Sequence, residues 1–116
     1  MRTPIKKNLN DIAVEDAHGG SGRRQLLLSK NDPISKHMHA MTKGFLPRKA
    51  MFDWHKHEKI DELFLVLKGT GVIRFKNGDE IKYKKDDLFY IPADLEHQIE
   101  NTGSEENEFF FIRLDE

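Results

Sequence analysis

From Gln25 onward the chain runs in short apolar or alternating stretches separated by Gly, Pro, Asn and Asp, whereas its first two dozen residues are polar. That rhythm predicts strands over 25–29, 36–43, 50–57, 62–67, 71–76, 79–84, 87–91, 96–101 and 108–114, as in an all-β sandwich or barrel. Gly69-Thr70-Gly71 breaks one pair of strands, and Pro92-Ala93-Asp94 ends another. Asn77-Gly78 is a two-residue hairpin signal because both residue types accept positive φ. Links this short imply antiparallel neighbours. The alternation aims Phe64, Val66, Phe75, Phe89 and Ile91 inward, enough to fill a small barrel, and barrel closure removes exposed sheet edges. His18-Gly19-Gly20-Ser21-Gly22 reads as a flexible join between an N-terminal arm, 1–24, and a single barrel domain, 25–116. The arm is expected to be partly disordered.

The residues most suggestive of chemistry lie in Trp54-His55-Lys56-His57-Glu58-Lys59-Ile60-Asp61-Glu62, answered forty residues later by Pro92-Ala93-Asp94-Leu95-Glu96-His97. Imidazoles two positions apart face the same side of a strand and can reach one ion. Glu62, five positions beyond His57, would face the other way on an unbroken strand, so a reversal within 58–61 is needed to bring its carboxylate beside them. His97 would arrive from a third strand. Imidazole and carboxylate together suit first-row divalent ions, and three nitrogens with one oxygen leave two positions of an octahedral ion for small ligands.

Composition narrows the alternatives. A chain of 116 residues is long enough for one domain to bury roughly two thirds of its unfolded surface. With 19 Lys and Arg against 20 Asp and Glu, the formal charge of −1 offers no general attraction to a phosphate backbone, so nucleic acid is not expected as a partner. No apolar run approaches the ~20 residues of a membrane helix, and the polar N-terminus lacks a secretory apolar stretch. A cytoplasmic protein with no membrane contact is expected. The chain has no cysteine, so any metal must be held by nitrogen and oxygen.

These residues carry a resemblance. His55-x-His57, four intervening residues, Glu62, six more and Gly69 resemble the first cupin motif. Pro92, two turn residues, Leu95-Glu96, His97, three more and Asn101 resemble the second. The resemblance covers about 50–114 and implies an RmlC-like antiparallel jelly roll, the cupin double-stranded β-helix. It also implies a divalent transition metal (Fe, Mn, Ni, Co, Cu or Zn) held by His55, His57, Glu62 and His97. In some small cupins the position of Asp61 supplies the carboxylate instead, so Asp61 is a reserve ligand. The chain departs from the pattern where glycines are usual, at Lys49, Asp86 and Asp94. Asp tolerates positive φ better than most residues, so the turns are expected to survive.

Other residues carry weaker signals. His37-Met38-His39 repeats the HxH spacing without a carboxylate and reads as a plain strand, with a second metal pair or a pocket wall as alternatives. Trp54 and Phe109-Phe110-Phe111 read as core. Arg74, Arg113, Gln98 and Tyr90 are the polar groups on strands best suited to bind an anionic substrate. The expected function is metal-dependent chemistry on a small organic substrate, either dioxygenase-like or isomerase/lyase. The alternative is a non-enzymatic small-molecule or sugar-binding or sensor module. The resemblance further implies a homodimer, for which Leu26–Leu28 could add a strand across the interface.

Overall fold

The computed structural model describes residues 3–17 and 22–116. Ten strands form two antiparallel sheets, with no α-helix among the described residues. They are β1 Glu15–Ala17, β2 Gly22–Leu28, β3 Met38–Leu46, β4 Met51–His55, β5 Ile60–Lys68, β6 Gly71–Phe75, β7 Glu80–Tyr83, β8 Leu88–Ile91, β9 His97–Asn101 and β10 Asn107–Asp115. The larger sheet runs β1-β2-β3-β10-β5-β8 and the smaller β4-β9-β6-β7. This is the expected all-β cupin architecture. No helix of the described residues is long and apolar enough to cross a membrane.

Period-two alternation builds the core between the sheets. Along β5, Glu62, Phe64 and Val66 are buried while Leu63, Leu65 and Leu67 are half-buried on the outer face. On β10, Asn107, Phe109 and Phe111 point in while Phe110 and Ile112 alternate out. Phenylalanines fill the space between the layers: Phe64 meets Phe109 edge-on at 5.8 Å within the larger sheet, and Phe52 of β4 crosses to Phe111 of β10 at 6.0 Å. Phe89 stacks on Phe64 at 4.8 Å. Each fully buried ring contributes roughly 1.5–3 kcal/mol of transfer free energy.

The N-terminal segment departs from expectation. Residues 3–17 are tied down: the Gln25 side chain donates to Leu9 O and Ile12 O, and Lys7 Nζ donates to Leu27 O. β2 crosses position 24/25, where the arm was expected to meet the barrel, and β1 extends the same sheet. β1 escapes a pattern search because Glu15-Asp16-Ala17 has no apolar alternation. Its order comes from main-chain pairing and from the Glu15 to Arg24 ion pair at 2.9 Å. Of the expected flexible join, 18–21 lies outside the described residues, and Gly22 opens β2.

The turns obey backbone sterics. Gly69 sits at φ 90°, where an added Cβ would stand 1.9 Å from Asn107 Oδ1. In the β6–β7 hairpin Gly78 alone takes positive φ, and the Asn77 side chain instead accepts the Asp79 N–H. The three positions that depart from glycine all adopt the left-handed region: Lys49 at φ 66°, Asp86 at 76° and Asp94 at 68°. The turns have kept their shape and hold the strain instead. Lys49 is exposed and lacks the short polar side chain that eases this region. Lys49→Gly should therefore stabilise the fold by about 0.5–1 kcal/mol, the left-handed penalty of about 1–2 kcal/mol less the backbone entropy of glycine. Thermal denaturation should show a higher midpoint, and a lower one would contradict the strain assignment.

Candidate metal centre

His55 is the last residue of β4 and His97 the first of β9, and they are paired across that ladder. Their rings stand 4.3 Å apart, centroid to centroid. His57 lies beyond β4, in the link that turns the chain into β5, with Lys59 at φ 58° in the reversal. The expected turn is present, but only one imidazole of the HxH pair is carried by a strand. The His57 carbonyl accepts the Asp94 N–H at 3.0 Å, which joins this link to the turn before β9. Glu62 enters from the larger sheet as the third residue of β5. The smaller sheet therefore supplies His55 and His97, and the larger supplies the carboxylate.

The four side chains converge. His57 Nε2 lies 3.4 Å from Glu62 Oε2, and His97 Nε2 lies 3.4 Å from Glu62 Oε1. Ligand atoms of His55, His57 and Glu62 all fall within 4.8 Å of one another. Donors bound to a divalent ion at about 2.1 Å stand roughly 3 Å apart when adjacent and about 4 Å when opposite, so the spacing is close to what an ion requires.

The ring orientations are fixed by backbone carbonyls two residues earlier. His55 Nδ1 lies 2.7 Å from Asp53 O, and His97 Nδ1 lies 2.9 Å from Leu95 O. A carbonyl only accepts, so Nδ1 carries the hydrogen and Nε2 of the neutral ring presents its lone pair to the centre. Among the described residues, the buried side-chain atoms without a hydrogen-bond partner are His57 Nε2, Glu62 Oε1, His97 Nε2 and Asn107 Oδ1. Three of these four face this point. Buried polar atoms are almost always satisfied, so such a cluster indicates a missing partner rather than defective packing.

Glu62 is 1 % exposed. Burial alone would raise its carboxyl, but the facing His57 and His97 rings and the Arg113 guanidinium outweigh it and hold the group well below the ordinary carboxylate range. Arg113 Nε, from β10, donates to Glu62 Oε2 at 2.8 Å, which leaves Oε1 as the unpartnered oxygen. His55, His57 and Glu62 thus form a donor set consistent with a metal site.

Asp61 is not part of this group. It alternates to the opposite face of β5, where it accepts the Ala93 N–H at 2.7 Å and the Tyr90 hydroxyl. Tyr90 is thereby committed to the outer surface. Arg74 and Gln98 also lie away from the centre, on the outside of the smaller sheet, bonded to each other and to Glu80, Glu100 and Asp53. Of the polar groups expected to bind an anion, Arg113 alone reaches the interior. Trp54 is not core: it is 37 % exposed, with Lys76 Nζ 4.1 Å over its ring. Phe109 and Phe111 are core, whereas Phe110 faces out.

A cavity of 540 Å³ opens from His57 and Arg113 along β2 and β3. His39 lines it and pairs with Asp115 at 3.1 Å, so the second HxH contributes a pocket wall through one of its histidines. Arg24, Lys30 and Thr42 line it too. No motif announces them, because they reach the cavity through the pairing of β2 with β3. The i−2 carbonyls that orient His55 and His97 were equally silent, being main-chain atoms.

Residues 41–113 match a family model described as a cupin domain. An oxalate-binding protein from Thermotoga maritima is 32 % identical over 101 residues, covering 85 % of this chain and 82 % of its own length. Among solved structures, a predicted oxalate decarboxylase from Thermotoga maritima superposes with a TM-score of 0.84 at 26 % identity, over 97 % of this chain and all of the other. The polyketide cyclase RemF from Streptomyces resistomycificus superposes with a TM-score of 0.81 over 98 % of this chain and 81 % of its own; at 14 % identity that likeness concerns the fold. On this match, on a relative of this identity and coverage, and on the two antiparallel sheets, the chain belongs to the cupin family.

Proposed function

We propose that the chain binds one divalent transition metal through His55, His57, Glu62 and His97, and uses it to hold a small organic ligand in the adjoining cavity. The observation that carries this reading is the trio of buried, unpartnered donor atoms, His57 Nε2, Glu62 Oε1 and His97 Nε2, turned toward one another. Nitrogen and oxygen donors of this kind suit iron, manganese, nickel, cobalt, copper or zinc. When bound, such an ion supplies Lewis acidity to a chelating oxygen ligand and, if redox-active, a place for dioxygen. The chain's own part is to fix the imidazoles through Asp53 O and Leu95 O, to keep Glu62 ionised beside Arg113, and to limit water with Phe75, whose ring lies 6.3 Å from that of His97. We favour turnover of a small substrate by dioxygenase-like or isomerase/lyase chemistry. The oxalate-binding relative supports the second reading, a module that holds a small acid without converting it.

His57→Ala and Glu62→Gln should each lower metal affinity by at least about 100-fold, while leaving the β-sheet circular dichroism unchanged. Asp61→Asn, on the other face of β5, should retain full occupancy. Metal content by mass spectrometry after dialysis checks all three, and equal loss in the Asp61 variant would refute the assignment. To separate the two readings, metal-free protein is titrated anaerobically and then offered small acids and diketones under oxygen. Metal-dependent product formation supports the enzyme, whereas ligand-induced thermal stabilisation, about 2.7 kcal/mol at a hundredfold excess over Kd, without product supports the binding module.

We also propose that the chain is a homodimer. β2 pairs with β3 along one edge, and on the other β1 pairs only with Gly22–Arg24, which leaves Leu26–Leu28 as the stretch for a partner strand, with Leu27 O held by Lys7 Nζ. The outer face of the larger sheet offers a different surface. There Tyr90, Leu63, Ile112 and Met41 are cross-strand neighbours in one row, and Leu88, Leu65 and Phe110 in the next. Leu88 is 66 % exposed and Tyr90 55 %. A contiguous apolar row of this kind suits a two-fold interface, in which the same patch meets itself. Light scattering should give twice the chain mass, and Leu65→Asp with Leu88→Glu should halve it without loss of metal. A wild-type monomer at all concentrations would exclude the dimer.

A further inference from the structure

The β3–β10 ladder is irregular beside the metal centre. Ala40 pairs with Arg113 and Met38 with Leu114, so His39 is an extra residue between them, as in a β-bulge. Next to the buried Ala40, regular alternation would send His39 to the outer face, but a bulge re-aims the side chain it inserts. His39 instead lines the cavity, together with Ala40 and Thr42. Its ring Nδ1 lies 3.1 Å from Oδ1 of Asp115, which shares the inner face of β10 with Arg113. The other Asp115 oxygen accepts from Lys30, which also donates to Lys36 O at 2.8 Å, and the Asp115 N–H donates to His37 O at 2.7 Å. Lys30, and after it His39, hold the Asp115 carboxyl below its usual range, so it stays ionised. An ionised carboxylate only accepts. His39 Nδ1 therefore carries the hydrogen, and Nε2 of the neutral ring keeps its lone pair.

This pair stands on the same rim of the sandwich as the metal donors. Ala40, Arg113 and Glu62 form one cross-strand row, with β10 between β3 and β5. Strands lie about 4.8 Å apart, so the His39 backbone is roughly 10 Å from that of Glu62, and the inward side chains leave a gap that a molecule of a few carbons spans. The cavity joins the two, since His57 and Arg113 line it with His39. The other groups there that could take a proton are engaged or remote. His57 turns Nε2 to Glu62, Asp115 holds Lys30 as a cation, and Asp16 borders the far end, opposite Arg23 near the start of β2. Arg113 engages Glu62 through Nε and has further N–H donors for an anionic group. Four protein donors leave two positions of an octahedral ion, which the adjacent carboxylate and carbonyl oxygens of a 2-oxo acid match.

We propose that His39 is a catalytic base, aimed by Asp115, that takes a proton from the carbon beside the carbonyl of a 2-oxo acid held at the centre. The C–H bond breaks and its proton goes to His39 Nε2. Its electron pair forms the C=C bond of an enolate, while the carbonyl π pair moves to the carbonyl oxygen. Return of a proton from the His39 imidazolium to that carbon restores the acid, so no oxidant or co-reactant is consumed and solvent hydrogen enters the carbon. This rests on the metal reading above and selects isomerase/lyase chemistry over oxygenation. Asp115 is a positioning residue, and Lys30 acts through it.

The test gives metal-loaded protein pyruvate or 2-oxobutyrate in deuterium oxide under argon and follows exchange beside the carbonyl by proton NMR. Metal content is measured on the same samples, and nitrogen-15 spectra read the His39 tautomer. Wild type should exchange and should carry hydrogen on Nδ1. His39→Gln should lower exchange at least about 100-fold with metal content unchanged, and added imidazole should restore at least about tenfold to His39→Ala. Asp115→Asn should lower exchange more than about tenfold and move the hydrogen toward Nε2, because an amide can donate to Nδ1. His37→Gln, at the exposed histidine that does not line the cavity, should keep wild-type exchange. No exchange by metal-loaded wild type, exchange that survives His39→Gln, loss of metal along with exchange in the His39 variants, or a wild-type ring with hydrogen on Nε2 would each overturn the proposal. Protein that takes up no metal but exchanges through His39 would overturn the metal reading and leave the base standing. Protein that takes up metal but does not exchange would do the reverse.

Discussion

A carboxylate removed from water must find compensating charge or lose its own. Glu62 keeps its charge because Arg113 approaches from β10, two imidazoles face it from the other side, and the phenylalanine core below excludes competing water. The neighbouring arrangement follows from satisfying that one buried anion. Arg113 is its cross-strand partner, so the register of β5 on β10 aligns the pair. Slipping that register by one residue would turn Glu62 to the surface and Asp61 inward, together with every apolar side chain of β5.

The strand alternation that packs the core therefore also selects the chemistry. Glu62, Phe64 and Val66 share a face, and the hydrophobic demand of the two lower residues decides where the carboxylate points. On the smaller sheet, pairing of His55 with His97 sets the two rings side by side before any ligand is considered. Neither sheet alone holds a usable donor set. The centre exists because the layers lie face to face, with the aromatic cluster holding them at the right separation.

Much of this was readable from the residues. Nearly all strands follow from alternation and turn chemistry, and the choice of Glu62 over Asp61 follows from parity with Phe64 and Val66. What escaped did so for physical reasons. β1 is stabilised by main-chain pairing and an exposed ion pair, which leave no apolar rhythm. Trp54 was read as buried because tryptophan usually is, but the register shift of β4 on β9 between Phe52 and His55 breaks the alternation and leaves it outward against Lys76. The β2 wall of the cavity is hidden more deeply. Arg24 and Lys30, toward its two ends, lie far in sequence from the histidines, and the β2–β3 register, with its irregularity between Leu26 and Leu28, decides that they arrive.

The histidines at the end of β4 and the start of β9 belong to one layer and Glu62 to the other. Anything that binds all of them acts as a clasp across the mouth of the sandwich, while the phenylalanines act as a permanent hinge pin deeper inside. The two fastenings differ in kind, one reversible and polar, the other constant and greasy. Loading would then tighten the open rim without disturbing the base, and stripping would let the rim breathe first, so that amide protection near β4 and β9 should report the state of the centre more sensitively than that of β6 or β10.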